Sequence, residues 1–270
     1  MRKGPAVVAH RGASVVEAEH TLAAYRRALE DGADGVECDV RLTRDGVLVC
    51  VHDRRIDRTS TGRGVVSTLE LADLSELDFG RWHREANGDD PDPLLTASWE
   101  APDHDRTSVL TLRRLLEMVA EIDRPVRLAI ETKHPTRYAG LVESTLVDEL
   151  ARFGLTSAGG NGKDEVQVMS FAPSGLRRIR QLAPDVPTVH LMRRLPLRHR
   201  DGSMSPSASI AGPSVEAVKA YPEYVARAHA RGAEVHVWTV DDPDDVWFMV
   251  GLGVDVIITN EPDAVLAQLA

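Results

Sequence analysis

Residues 36–53 read VECDVRLTRDGVLVCVHD. The first half is an apolar, β-branched run of the kind that forms a buried strand, yet it contains Glu37 and Asp39. Side chains two apart on a strand share a face, so both carboxylates point one way and Val36, Cys38 and Val40 the other. Ionised carboxylates in a buried strand are costly unless positive charge meets them. Arg44, Asp45 and Gly46 supply a turn, 47–51 return as a second apolar strand, and His52 and Asp53 stand at its end. Two carboxylates and an imidazole on one hairpin have the makings of a metal-assisted active site. A buried ion pair with Arg41 or Lys133 is the plain alternative.

Outward from this stretch, short apolar runs alternate with amphipathic helices, and that alternation implies an α/β fold with a parallel sheet. Strands are expected at 6–9, 35–42, 126–132, 166–171, 188–192, 234–240 and 254–259. Helices are expected at 21–31, 112–121, 137–153, from 173, at 222–231 and 243–252, and at the end of the chain. The loop TSAGGNGKDE at 156–165 reads as exposed. Residues 193–213, RRLPLRHRDGSMSPSASIAGP, read as a mobile basic loop with a degenerate strand at its end. Eight βα units without a glycine-rich dinucleotide fingerprint favour a TIM (β/α)8 barrel over a doubly wound sheet. Residues 54–108 break the rhythm, with a helical piece near 69–77 and an Asp/Pro-rich stretch at 87–105. The expectation is one domain, 1–270, with an insertion at about 54–108 facing the substrate.

Composition narrows the function. The 270 residues are about right for one barrel of ~250 residues. Lys and Arg total 32 against 42 Asp and Glu, a formal charge of −10 with no long basic run. That argues against nucleic-acid binding and against docking on anionic lipid. An anionic substrate would therefore need a metal or local arginines to hold it. Cys38 and Cys50 lack a CxxC partner and are expected as buried free thiols. No 18-residue apolar span occurs, and the apolar run before His10 is too short for a secretory leader, so a cytoplasmic protein without membrane insertion is expected.

Polar residues recur at strand ends, where barrel active sites are built: His10 and Arg11, then Glu37 and Asp39, then Glu131 and Lys133, Ser170 and Phe171, His236 and Trp238, Thr259 and Asn260. Glu37, Asp39 and Glu131 offer three hard oxygen ligands, suited to Mg²⁺ or Ca²⁺, unless Lys133 and Arg11 alone neutralise them. His10 and His52 are candidates for an acid/base pair. Arg11 and Lys133 are the cations for a phosphate. Phe171 and Trp238 wall a pocket for an alcohol or glycerol, or else belong to the core. His20, His83, His104, His134, His190, His199 and His229 read as surface or packing residues.

Several motifs together carry a resemblance over nearly the whole chain: HRGAS at 10–14, AEHTLAAY at 18–25, GVECDVRLTRDGVLVCVHD, ETK at 131–133, and the closing HVWTVDD and GVDVIITNEPD. The chain resembles the glycerophosphodiester phosphodiesterases. The resemblance implies a TIM barrel with an insertion after the second strand. It implies divalent-metal-dependent hydrolysis of glycerophosphodiesters to sn-glycerol 3-phosphate and an alcohol, within lipid and glycerol metabolism. The family's catalytic histidines fall on His10 and His52, its metal ligands on Glu37, Asp39 and Glu131, and its phosphate contacts on Arg11 and Lys133. Trp238 falls on the aromatic wall, and Glu19 on the acid that braces the first loop.

Two departures stand out: His20 where the family commonly has Asn in Pro-Glu-Asn-Thr, and Asn260 where it commonly has Asp in Thr-Asp. Neither is expected to touch the metal or acid/base set. One rival reading is a phospholipase D-like lyase of the same barrel group, acting on lysophospholipids or sphingomyelin. Another is a non-catalytic binding protein on this scaffold. A monomer or homodimer is expected in either case.

Overall fold

The structure is a computed structural model that describes residues 4–88, 103–134, 140–157, 161–162 and 165–270. Its strands are β1 (Ala6–His10), β2 (Gly35–Leu42), β3 (Leu48–Cys50), β4 (Arg127–Thr132), β5 (Glu165–Ser170), β6 (Thr188–Met192), β7 (Ile210–Pro213), β8 (Glu234–Val237) and β9 (Val256–Thr259). All except β3 pair in parallel, in chain order, and β9 pairs back onto β1, so eight strands close a ring. Helices connect them, which makes the fold a TIM barrel. β3 runs antiparallel to the end of β2, with Leu42 opposite Leu48 and Val40 opposite Cys50. This hairpin returns the chain to the barrel mouth at His52.

Parity decides what the barrel holds. Val8, Ala129, Met169, Val189, Leu191, Ile210, Val256 and Ile258 pack together as its apolar interior. Their neighbours along the strands, including Val7, Val36, Cys38, Leu128, Ile130, Val168 and Val235, pack outward against the helices. Glu37, Asp39 and Glu131 share the inward parity, beyond the apolar layer toward the strands' C-terminal ends. Register then sets their neighbours: Asp39 lies beside Glu131, Glu37 beside Ala129, and His10 beside Glu37. Cys38 and Cys50 are buried and free.

The connecting helices begin where the sequence supplies caps. Thr21, Thr111 and Ser214 accept from the backbone N–H three residues on, and Asp242 accepts from Asp244 and Asp245. Among its described residues, the segment after β3 contains three short α-helices, Leu71–Ser75, Arg81–Asn87 and His104–Thr107, of which the sequence shows only the first. It packs through its own small cluster, Val49, Val51, Ile56, Val66, Leu74 and Phe79, and so anchors the strand that presents His52. Most of the Asp/Pro-rich stretch at 87–105 lies outside the described residues, as do the first residues of the helix expected from 137 and much of the loop at 156–165. That helix is described as Leu141–Arg152.

Residues 193–213 differ from the mobile loop expected of them. They contain a short 3-10 turn, Leu197–His199, bury His199 and Ser205, and end in β7, a full barrel strand. β7 reads IAGP because Gly212 abuts β6: a Cβ there would lie 2.9 Å from the side chains of Leu191 and Val189. A helix at Val215–Ala220 also precedes the expected one, which spans Glu223–His229.

Gly35 meets a harder limit at the start of β2. A Cβ at this position would lie 2.2 Å from the Arg127 carbonyl oxygen. Gly35→Ala must therefore spread the β2–β4 pairing that sets Asp39 beside Glu131, and should cost about 2 kcal/mol or more. Urea unfolding checks this; wild-type stability in the variant would contradict the close approach.

Candidate active site

Ligand atoms of Glu37, Asp39 and Glu131 all lie within 4.8 Å of one another, and all three side chains are buried. Two cations meet them. Lys133 Nζ sits 2.8 Å from Asp39 Oδ1 and 2.8 Å from Glu131 Oε2, and Arg11 Nε lies 3.1 Å from Asp39 Oδ2. Arg41 is turned away and donates to the carbonyl of His52 at 3.0 and 2.7 Å. Among the described residues, positive charge is therefore short by one. Burial and the charge of Asp39 push Glu37 well above the usual carboxylate range and raise Glu131 to about 7. Asp39 stays low against its burial because Lys133 and His20 hold its charge. Hard oxygen donors, closely packed and short of positive charge, fit a divalent cation such as Mg²⁺ or Ca²⁺, with Glu37, Asp39 and Glu131 as the residues that would hold it.

Each of the paired histidines has a fixed inner nitrogen. His10 Nδ1 lies 2.7 Å from Asn260 Oδ1. The amide oxygen only accepts, so Nδ1 carries the proton and Nε2 faces Glu37 Oε2 at 4.0 Å. Asn260 is itself pinned: Asp241 accepts from its Nδ2 at 2.7 Å and from its backbone N–H at 2.8 Å. Burial, reinforced by Arg11, lowers His10 to about 4, so the ring is neutral near pH 7. His52 Nδ1 instead pairs with a carboxylate, Asp53 Oδ1, at 2.8 Å. Arg58 ties that carboxylate to Glu19, donating to Asp53 at 2.6 Å and to the two Glu19 oxygens at 2.8 and 2.7 Å. Glu19 in turn accepts from Arg11 Nη1 at 3.1 Å. It does brace the first loop, and it does so through two arginines.

A cavity of about 230 Å³ is lined by His10, Arg11, Glu37, His52, Glu131, Lys133, Phe171 and Trp238. Eight of the nine residues expected as metal ligands, acid/base groups or substrate contacts thus share one cavity, and the ninth, Asp39, lies in contact with Lys133 and Arg11. Phe171 and Trp238 meet edge to face at 5.4 Å between ring centres, and Trp238 Nε1 donates to the Gly212 carbonyl at 2.7 Å. His236 does not join Trp238 at the mouth; it is fully buried lower in the barrel, with Nε2 3.0 Å from Glu234 Oε2.

The expectation that both departures leave the site untouched is overturned. Asn260 is the partner of His10. His20, read from sequence as a surface or packing residue, is buried with Nε2 2.9 Å from Asp39 Oδ2 and Nδ1 2.7 Å from the Tyr25 hydroxyl. Both Arg11 and His20 adopt left-handed backbone, with φ of 60° and 63°, and the His20 N–H donates to the Arg11 carbonyl at 3.0 Å. Non-glycine residues in that region are strained and need surroundings that over-determine them. Here the carboxylates do so. Of the others set aside, His134 and His229 pair with Glu143 and Asp255, and the rings of His190 and His199 meet edge on in the interior.

Known proteins resemble the chain in sequence and in fold. The sequence profile of the Glycerophosphoryl diester phosphodiesterase family matches residues 10–264. The Mycobacterium tuberculosis protein named "Probable glycerophosphodiester phosphodiesterase 1" is 48% identical over 267 residues, which cover 98% of this chain and 92% of that one. The glycerophosphodiester phosphodiesterase of Bacillus subtilis is 32% identical, with 95% and 83% covered. Among solved structures, an Oleispira antarctica phosphodiesterase in complex with its product sn-glycerol-3-phosphate matches in fold with a TM-score of 0.79 at 20% identity, covering 98% and 97% of the two chains.

The Glu19 clamp has a pH signature. Burial alone would raise this carboxyl, but hydrogen bonds from Arg58 and the charge of Arg11 outweigh it and hold it at about 2, against 4.5 unfolded. A depressed folded value gives stability that is present above 4.5 and lost as pH falls toward 2. Glu19→Gln should thus cost on the order of 2 kcal/mol at neutral pH, the deficit closing through that window. Urea unfolding as a function of pH checks it; a deficit constant across the window would contradict the clamp.

Proposed function

The chain belongs to the glycerophosphoryl diester phosphodiesterase family and is an enzyme with glycerophosphodiester phosphodiesterase activity, and we propose that it works with one divalent cation and a pair of histidines. The observation that carries this reading is the convergence of three buried carboxylates and two imidazoles on one cavity. Glu37, Asp39 and Glu131 are the proposed ligands, and His10 and His52 the acid/base pair. Mg²⁺ or Ca²⁺ bound there would supply Lewis-acid polarisation of the phosphoryl oxygens and charge for the transition state.

The remaining steps fall to the chain. Arg11 and Lys133, already oriented by carboxylates, offer N–H donors to the phosphodiester oxygens from fixed positions, which costs little reorganisation during reaction. His10, neutral with its proton on Nδ1, presents the Nε2 lone pair to the cavity. One imidazole takes the proton of the attacking oxygen as its bond to phosphorus forms. The other gives a proton to the alkoxide as the second phosphorus–oxygen bond breaks. Overall, one diester and one water become sn-glycerol 3-phosphate and an alcohol, the product bound in the Oleispira structure being that same phosphate. Phe171 and Trp238 wall the space beside the phosphate. Among the described residues, no helix is long and apolar enough to cross a membrane, and the proposed substrates are small glycerophosphodiesters.

Chelator-stripped protein assayed on a panel of glycerophosphodiesters, with Mg²⁺ and Ca²⁺ restored in turn, tests the reading. Activity should vanish on stripping and return with at least one ion; full activity of the stripped protein would contradict it. His52→Ala should lose on the order of 10²–10⁴ in turnover with its fold intact. Near-normal turnover in that variant would remove His52 from the pair.

A further inference from the structure

The cavity that holds the phosphate-directed groups is small, about 230 Å³, below the ~300–1,000 Å³ usual for small-molecule sites. It has room for the phosphoglycerol end of a diester, and the alcohol has to lie elsewhere. Arg193, Trp238 and Thr239 line this cavity and also a second, larger hollow of about 730 Å³. The two spaces adjoin at those three residues.

Charge distinguishes the second hollow. Arg193, Arg194 and Arg200 line it against a single acid, Glu216. Among the described residues none of the three makes an ion pair, whereas Arg58, Arg106 and Arg231 are each held by carboxylates. In a chain of formal charge −10, three arginines lining one hollow with a single acid make it locally positive beside the active site. Arg200 is also placed: its guanidinium carbon lies 3.8 Å over the Tyr221 ring, and its Nε is buried with no hydrogen-bond partner. A guanidinium stacked on an aromatic face, with a donor still unmet, has already lost the rotamer freedom that anion binding would otherwise cost.

We propose that this groove is a subsite for the alcohol portion of the diester, selecting alcohols that carry a phosphate or another anionic group. The assignment rests on the hydrolytic reading above for the orientation of substrate and adds the substrate class. Arg193 spans the junction, so it faces the alcohol side of the scissile phosphate. Arg194 and Arg200 lie farther along, where a second anionic group would sit. Leu195, Ala217 and Tyr221 form an apolar floor suited to the C–H face of a polyol. A quaternary ammonium would use such aromatic surface too, but three guanidinium groups against one carboxylate oppose a cation there.

The test compares glycerophosphoinositol 4-phosphate, glycerophosphoinositol and glycerophosphocholine as substrates of the metal-loaded full chain. The expected kcat/KM ratio of the phosphorylated to the unphosphorylated inositol diester is on the order of 10 or more, falling toward one in Arg194→Gln/Arg200→Gln and at high salt. Arg194→Gln alone, at an exposed position, should move the ratio in the same direction without loss of thermal stability. A wild-type ratio near one, or a preference for the choline diester, would overturn the subsite while leaving the hydrolase in place. Calorimetry with myo-inositol 4-phosphate alone separates the two claims. Saturable binding that weakens in the double variant supports the groove even if no diester is cleaved, and absence of binding, or binding indifferent to both arginines, overturns it.

Discussion

Three carboxylates are packed at the mouth of a barrel with, among the described residues, only two cations against them, and most of the local structure follows from that imbalance. Strand parity puts Glu37, Asp39 and Glu131 on the inner face, and register sets Asp39 beside Glu131. In water such a cluster would separate; in a closed barrel it is held. Lys133 and Arg11 offset part of the repulsion, and the elevated Glu37 and Glu131 mark what they leave uncovered. A hard divalent ion is the simplest group to supply the missing charge. The chemistry of a phosphodiester calls for the same positive charge.

The bracing around this cluster ties distant parts of the chain to one site. His10 ends the first strand and Asn260 follows the last, so their hydrogen bond spans the seam where the barrel closes. The position of the first histidine thus depends on closure. The second depends on the insertion, whose small core seats β3, and on Arg58, which reaches from that insertion to Glu19 beside the first strand. Left-handed backbone at Arg11 and His20 completes the arrangement, with strain kept in place by the carboxylates those side chains meet.

Much of this is legible in the amino-acid sequence. Alternating apolar runs and amphipathic helices indicate the barrel, and the two-residue spacing in ECD and ETK places Glu37, Asp39, Glu131 and Lys133 on one face. What escapes has particular causes. β7 is hidden because the strand needs a glycine where it abuts β6, so IAGP lacks a strand's usual bulk. His20 is hidden because nothing in AEHT announces a left-handed turn that aims the ring at Asp39. Asn260 looks like a distant substitution until the ring of strands closes. The arginines after β6 fall in a stretch without periodicity, and only the fold shows that they share a groove with Trp238.

Everything above turns on Glu37, Asp39 and Glu131 forming one cation site. Electron paramagnetic resonance of chelator-stripped protein titrated with Mn²⁺, a spectroscopic substitute for Mg²⁺ or Ca²⁺, measures it directly. The wild type should bind one ion per chain, with binding lost or weakened at least about tenfold in Asp39→Asn and in Glu131→Gln, each variant remaining folded. A wild type that binds no ion, or variants that bind as tightly as the wild type, would contradict it.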